Sequence, residues 1–105
     1  MSKRIEPTIS ILPTSTSNLA AANSTWFDSE GADKLFFDVT IVGTANAHLD
    51  LDYHNANAAT ATLTYTANGQ YIIDDPVGKV RAWCDGVGAN SSARIRMRRI
   101  FVDSK

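Results

Sequence analysis

Cysteine, proline and net charge are all scarce in this chain, and no apolar run approaches the ~20 residues a membrane helix needs. Each scarcity excludes something. A single cysteine, Cys84, cannot form an internal disulfide framework. It falls in phase with Val80 and Ala82, so it reads as a small buried apolar residue. A formal net charge of -1 offers no bulk field to draw the chain to nucleic acid or to a membrane surface. The N-terminus, MSKRIEPTISILP, starts basic, but Pro7, Thr8 and Ser10 break its apolar stretch too early for a secretory leader. The expectation is a chain made and kept in a cytoplasm. No amphipathic helix of normal length is visible, and no repeat at solenoid periods. Nucleophile–His–Asp order, phosphate loop, CxxC and HExxH are missing too. The chain therefore reads as non-enzymatic, with no cofactor.

What is present is alternation. In 105 residues there is room for one domain, burying roughly two-thirds of its unfolded surface. Leu35, Phe37, Val39 and Ile41 share one face of a predicted strand, with Asp38 and Thr40 on the other. Gly43 to Asn46 supplies turn chemistry. Ala47, Leu49, Leu51 and Tyr53 then oppose His48, Asp50, Asp52 and His54. The two strands read as a central hairpin. Ala59 to Thr66 alternates against threonines, Asn68-Gly69 signals a second hairpin, and Gln70 to Asp74 follows. Lys79 to Asp85 places Val80, Ala82 and Cys84 inward. Ala93 to Val102 is the last strand. Its phase breaks at Arg98-Arg99, which predicts either a β-bulge or a strand end with Ile100 to Val102 as a tail. Short strands with turn signals about every ten residues predict an all-β fold, an antiparallel sandwich or barrel. Residues 1–24 look different. Thr8 to Leu12, between Pro7 and Pro13, suits an edge strand or an arm, and PTSTSNLAAANS follows, so this segment reads as an extended N-terminal arm and linker, lying on the chain's own body or a neighbour's, ahead of a β-sandwich domain of residues 25–105.

Three groups of residues carry candidate chemistry. His48, Asp50, Asp52 and His54 share a predicted face, and imidazole with carboxylate suits a divalent transition metal. A solvated polar face opposite Leu49 and Leu51 needs polar residues anyway, so no metal is assigned. Arg94, Arg96, Arg98 and Arg99, joined by Arg81 and Trp83 from a possible neighbouring strand, form a basic stripe. It suits a protein interface, a nucleic-acid platform or a polar outer face paired across strands. The arm offers Ile5, Ile9, Ile11 and Leu12 to a neighbour. The partner-interface set is then Ile5, Ile9, Ile11, Leu12, Arg81, Trp83, Arg94, Arg96 and Arg98. Exposed aromatics such as Trp26, Trp83 and Tyr53 also suit a carbohydrate-binding module.

Several stretches resemble small tailed-phage virion proteins. Phe37-Asp38-Val39-Thr40-Ile41-Val42-Gly43-Thr44 is similar to their "F-x-V-x-I-x-G-T" strand. Tyr65 to Asp74 resembles "Y-x-x-x-G-x-Y-x-I-D", Gly78 to Trp83 resembles "G-x-x-V-R-A", and Ser91 to Arg96 their closing "S-x-x-V-x-V-R" strand. The likeness covers about two-thirds of the chain and leaves out residues 1–24. It implies an antiparallel β-sandwich, jelly-roll-like, of the capsid decoration, or cement, type on the virion surface. It also implies the major capsid protein as partner, a homo-oligomer with a trimer favoured, and no nucleic acid or membrane. A neck, tail or fibre component is the nearest rival.

Overall fold

The computed structural model describes residues 2–75 and 77–103. Pro76, one of the predicted breakers, lies outside them. Nine strands form two antiparallel sheets. They are β1 (Ser2–Ile5), β2 (Ile9–Ser15), β3 (Trp26–Asp28), β4 (Lys34–Val42), β5 (Asn46–Asp52), β6 (Ala61–Tyr65), β7 (Gly69–Ile73), β8 (Lys79–Asp85) and β9 (Ser92–Asp103). Sheet A runs β1-β9-β4-β7, with β2 also on β9, and sheet B runs β3-β8-β5-β6. The predicted all-β sandwich is the observed fold.

The pairing is nested. β5 pairs with β6, β4 with β7, β3 with β8, and β2 with β9. A single long hairpin, turning at residues 53–60, has been rolled up so that its arms alternate between the sheets. This is the jelly-roll winding. Inward residues of both sheets meet between them. Phe37, Val39, Ile95 and Met97 come from sheet A, and Leu49, Val80, Ala82 and Cys84 from sheet B, all with essentially no exposed surface.

Four expectations are corrected. β4 and β5 do not form a hairpin. They lie in opposite sheets, with inner faces meeting across the core. The turn at Gly43, whose φ of +71° suits glycine, carries the chain from one sheet to the other. Asn68-Gly69 is likewise a corner, because β6 and β7 pair with different partners. Alternation reports which side chains point inward and not which strand lies alongside. The third correction concerns β9. Its register with β4 runs unbroken from Lys34↔Ile100 to Val42↔Ser92, so there is no bulge between these two strands at Arg98-Arg99. Arg99 simply takes the next inward position at the end of the sandwich. Its guanidinium donates to the Asp28 carbonyl, 2.6 Å from Nη2 and 3.1 Å from Nε. Glu6 and Glu30 lie within 4 Å of it. The irregularity sits on the other edge of β9, where β2 shifts register twice.

The fourth correction is the arm. Residues 9–15 are an edge strand of sheet A, and Leu12 and Ile11 are 0% and 3% exposed. Leu19 bridges to Cys84, and a short 3-10 turn at Ala21–Asn23 leads into β3. Small polar composition disguised a segment whose few apolar residues complete the core.

Candidate functional site

The outer face of sheet A is built in rows by the β9–β4–β7 register. One row holds Ile5, Ile100 and Lys34; the next Arg98, Phe36 and Ile72; the next Ser10, Arg96, Asp38 and Gln70; the last Arg94 and Thr40. Ile5 and Ile72 are 49% and 55% exposed. Together with half-buried Phe36 they make an apolar patch on the outside of the sandwich. The arginines continue from it. Arg96 Nη2 donates to Asp38 Oδ2 at 3.0 Å, Arg94 Nη2 to the Thr40 hydroxyl at 3.0 Å, and Arg98 Nε to the Thr8 hydroxyl at 2.6 Å. Arg94 and Arg96 each keep Nε shut from solvent without a protein acceptor. Asp38, paired with Arg96, is the one carboxylate in these rows against three guanidiniums, so the arginine side carries surplus positive charge. A cleft of about 280 Å³ opens among Thr8, Phe36, Asp38, Gln70, Arg96 and Arg98.

The outer face of sheet B is a polar network that leaves one buried donor, Trp83 Nε1, without an acceptor. Arg81 donates to Asp50 Oδ2 from Nε and Nη2, at 3.0 and 2.8 Å, and Thr62 donates to Asp50 Oδ1 at 2.8 Å. Burial pushes the Asp50 pKa up, but the Thr62 hydroxyl, the nearby Trp83 indole and the Arg81 guanidinium outweigh it, and the net direction is down. His48 lies between the Asp85 carboxylate and the Thr64 hydroxyl, 2.8 Å and 2.9 Å away. Its ring stacks on Trp83 at 4.0 Å between centroids. The contact with His48 chiefly holds the Asp85 carboxyl below its ordinary value. Arg81 also covers Trp26, 4.3 Å from the ring centre. Both tryptophans therefore present a ring face that is already occupied.

This answers the metal candidate. Asp52 ends β5, so His54 falls in the following loop and the row of four does not form. Asp52 holds that loop instead. Its Oδ1 accepts from the His54 and Ala56 amides and its Oδ2 from the Asn57 amide, at 2.8–3.2 Å. Burial raises its pKa, and these backbone donors more than reverse the effect. Asn55 and Asn57 turn the loop with φ of +53° and +56°, a region Asn tolerates. No cluster of metal-ligating side chains occurs among the described residues.

The predicted interface set splits three ways. Arg94, Arg96 and Arg98 stand together on sheet A, joined by Ile5. Arg81 and Trp83 lie on sheet B, on the opposite side of the molecule, so the basic stripe does not include them. Ile11 and Leu12 belong to the core and Ile9 packs against it, so these three are not free for a neighbour. Phe36 and Ile72 were missing from that set. Their signal was apolar character at positions that alternation puts outside.

No protein-family model matches this chain, and no curated protein matches it. One solved structure has the same fold, a chain described under "Bacillus endospore appendages form a novel family of disulfide-linked pili". The likeness covers 99% of this chain and 93% of that one, at a TM-score of 0.53 and 15% identity. At that identity the likeness speaks for the fold alone.

Proposed function

We propose that this chain is a structural subunit of a tailed-phage particle, a decoration protein on the capsid that binds between major capsid subunits. The observation that carries the reading is the outer face of sheet A. Ile5, Phe36 and Ile72 offer apolar surface, and Arg94, Arg96 and Arg98 border it with guanidiniums that are only partly matched. Apolar anchors beside arginine are the residue types that dominate protein interfaces. A partner that fits here presents carboxylates next to an apolar anchor. The strand rhythm shared with small virion proteins supplies the setting.

A fibre component is the second reading. In its favour, the solved structure with this fold comes from a pilus. In such a fibre Cys84, being buried, would not link native subunits.

Immunogold microscopy of particles from the source phage, with antibody to this chain, separates the two. Label on heads is expected. Label on tails or fibres moves the assignment to the second reading, and particles without label overturn both. Arg96→Gln/Arg98→Gln, which adds no charge opposite Asp38, is expected to remove the head label while leaving the thermal melt close to wild type.

A further inference from the structure

Residues 55–73 contain no charged residue and no proline, in a chain that is 20% charged. The fold lays this stretch along one side of the sandwich. β6 is the free edge of sheet B and β7 is the free edge of sheet A. Free edges present unpaired N–H and C=O groups, and soluble proteins ordinarily blunt them with charge, proline, bulges or very short strands. The other side of this molecule uses those devices. β2 shifts register twice and contains Pro13, Pro7 separates it from β1, Arg4 and Glu6 stand beside the edge, and β3 has three residues. β7 carries none of them within its own five residues, and charge returns only beyond its end, at Asp74 and Asp75. Its five residues, GQYII, hold an unbroken register with β4 from Leu35↔Ile73 to Val39↔Gly69.

We propose that the β7 edge is the joint at which a second copy of this chain is added, strand to strand, continuing sheet A across the interface. The occupant follows from charge. An uncharged edge meets its own copy with no like-charge repulsion, whereas the arginine face of the same sheet repels itself. Position adds to this. Ile72 stands on the outer face of β7, 55% exposed and paired in register with Phe36, so a joined copy covers apolar surface as well as backbone. The turn before the strand is held in place by Asn68, whose Oδ1 accepts from the Ile41 amide. β6 offers a similar backbone but carries threonines on its outer face, with no large apolar residue there. β7 is therefore the preferred edge. Ile72 also belongs to the docking face argued above, but association of the pure chain in solution tests this joint with no capsid present, so the two readings fail separately.

Light scattering after size exclusion tests it on the full chain, from micromolar to millimolar concentration. The expected mass rises from 11.4 kDa at low concentration to twice that value or more. Gln70→Lys/Ile72→Lys places two positive charges on the outer face of β7 without touching the core. It is expected to stay monomeric throughout with an unchanged circular dichroism melt. Amide hydrogen exchange locates the joint. Amides of residues 69–73 exchange more slowly at high concentration. A wild-type chain that stays monomeric at millimolar concentration overturns the proposal. So does association that survives the double substitution, or that leaves exchange in β7 unchanged.

Discussion

Arg81 and Asp50 face one another across β8 and β5, with Nε and Nη2 of the guanidinium converging on the same oxygen, Oδ2, at 3.0 and 2.8 Å. The aspartate is 2% exposed, so this pair works in a desolvated setting. Removing one partner strands the other's charge. Asp50→Ala is expected to cost about 3–5 kcal/mol of unfolding free energy, the range for breaking a buried pair. Asp50→Ala/Arg81→Met removes both charges and is expected to recover at least half of that. Urea unfolding of the two variants measures the difference. Equal losses would show that the guanidinium is solvated well enough not to need Asp50.

Three carboxylates, Asp50, Asp52 and Asp85, are all held below their ordinary values by donors that exist only in the fold. The sign follows from linkage. The unfolded chain takes up these protons near pH 4, before the folded one does, so their contribution is complete above about pH 4 and is lost as pH falls through the lower folded values. Urea midpoints are expected to be flat from neutral pH to about 5 and to drop steeply toward 3. Asp52→Asn removes one titrating group and shallows the acid slope. A wild-type midpoint that does not change down to pH 3 refutes the assignment.

Leu12 and Ile5 lie in neighbouring edge strands and have opposite fates. Leu12→Ala opens a cavity in the core and is expected to cost about 2–5 kcal/mol. Ile5→Ala acts on a half-exposed residue and is expected to fall within about 0.5 kcal/mol of wild type. Truncation of residues 1–24 should prevent folding, since it removes the partner strands of one edge of β9. A truncated chain that melts cooperatively near the wild-type temperature would return this segment to the status of a detachable arm.

Cys84 has no exposed surface, and its Sγ lies 3.5 Å from the Ser17 carbonyl oxygen. The native chain is expected to react with a water-soluble thiol reagent at least a hundredfold more slowly than the urea-unfolded chain, since reaction requires an opening that exposes the thiol. Similar rates in the two states would mean that the segment around Leu19 does not keep β8 covered.

Much of this molecule was legible before any contact was known. Period-2 alternation is local, so the inward positions of Leu35, Phe37, Val39, Leu49, Val80, Ala82, Ile95 and Met97, and the all-β class, could be read from residue order alone. The sequence by itself also determined the uncharged stretch of residues 55–73. Which strands are neighbours was decided only by the tertiary structure. β2 finds β9 across most of the chain's length, and β3 finds β8 across about half of it. Such pairings depend on the whole roll closing and leave no mark within either strand. The same gap explains the sites. Arg81 and Arg96 read alike as outward arginines on alternating strands, yet the winding puts them on opposite outer faces. His48 and His54 read as one row, until the strand ends at Asp52 because that carboxylate captures three backbone amides of the loop beyond it. Inward or outward is a property of each strand's own pleat. Togetherness on a face is a property of the winding.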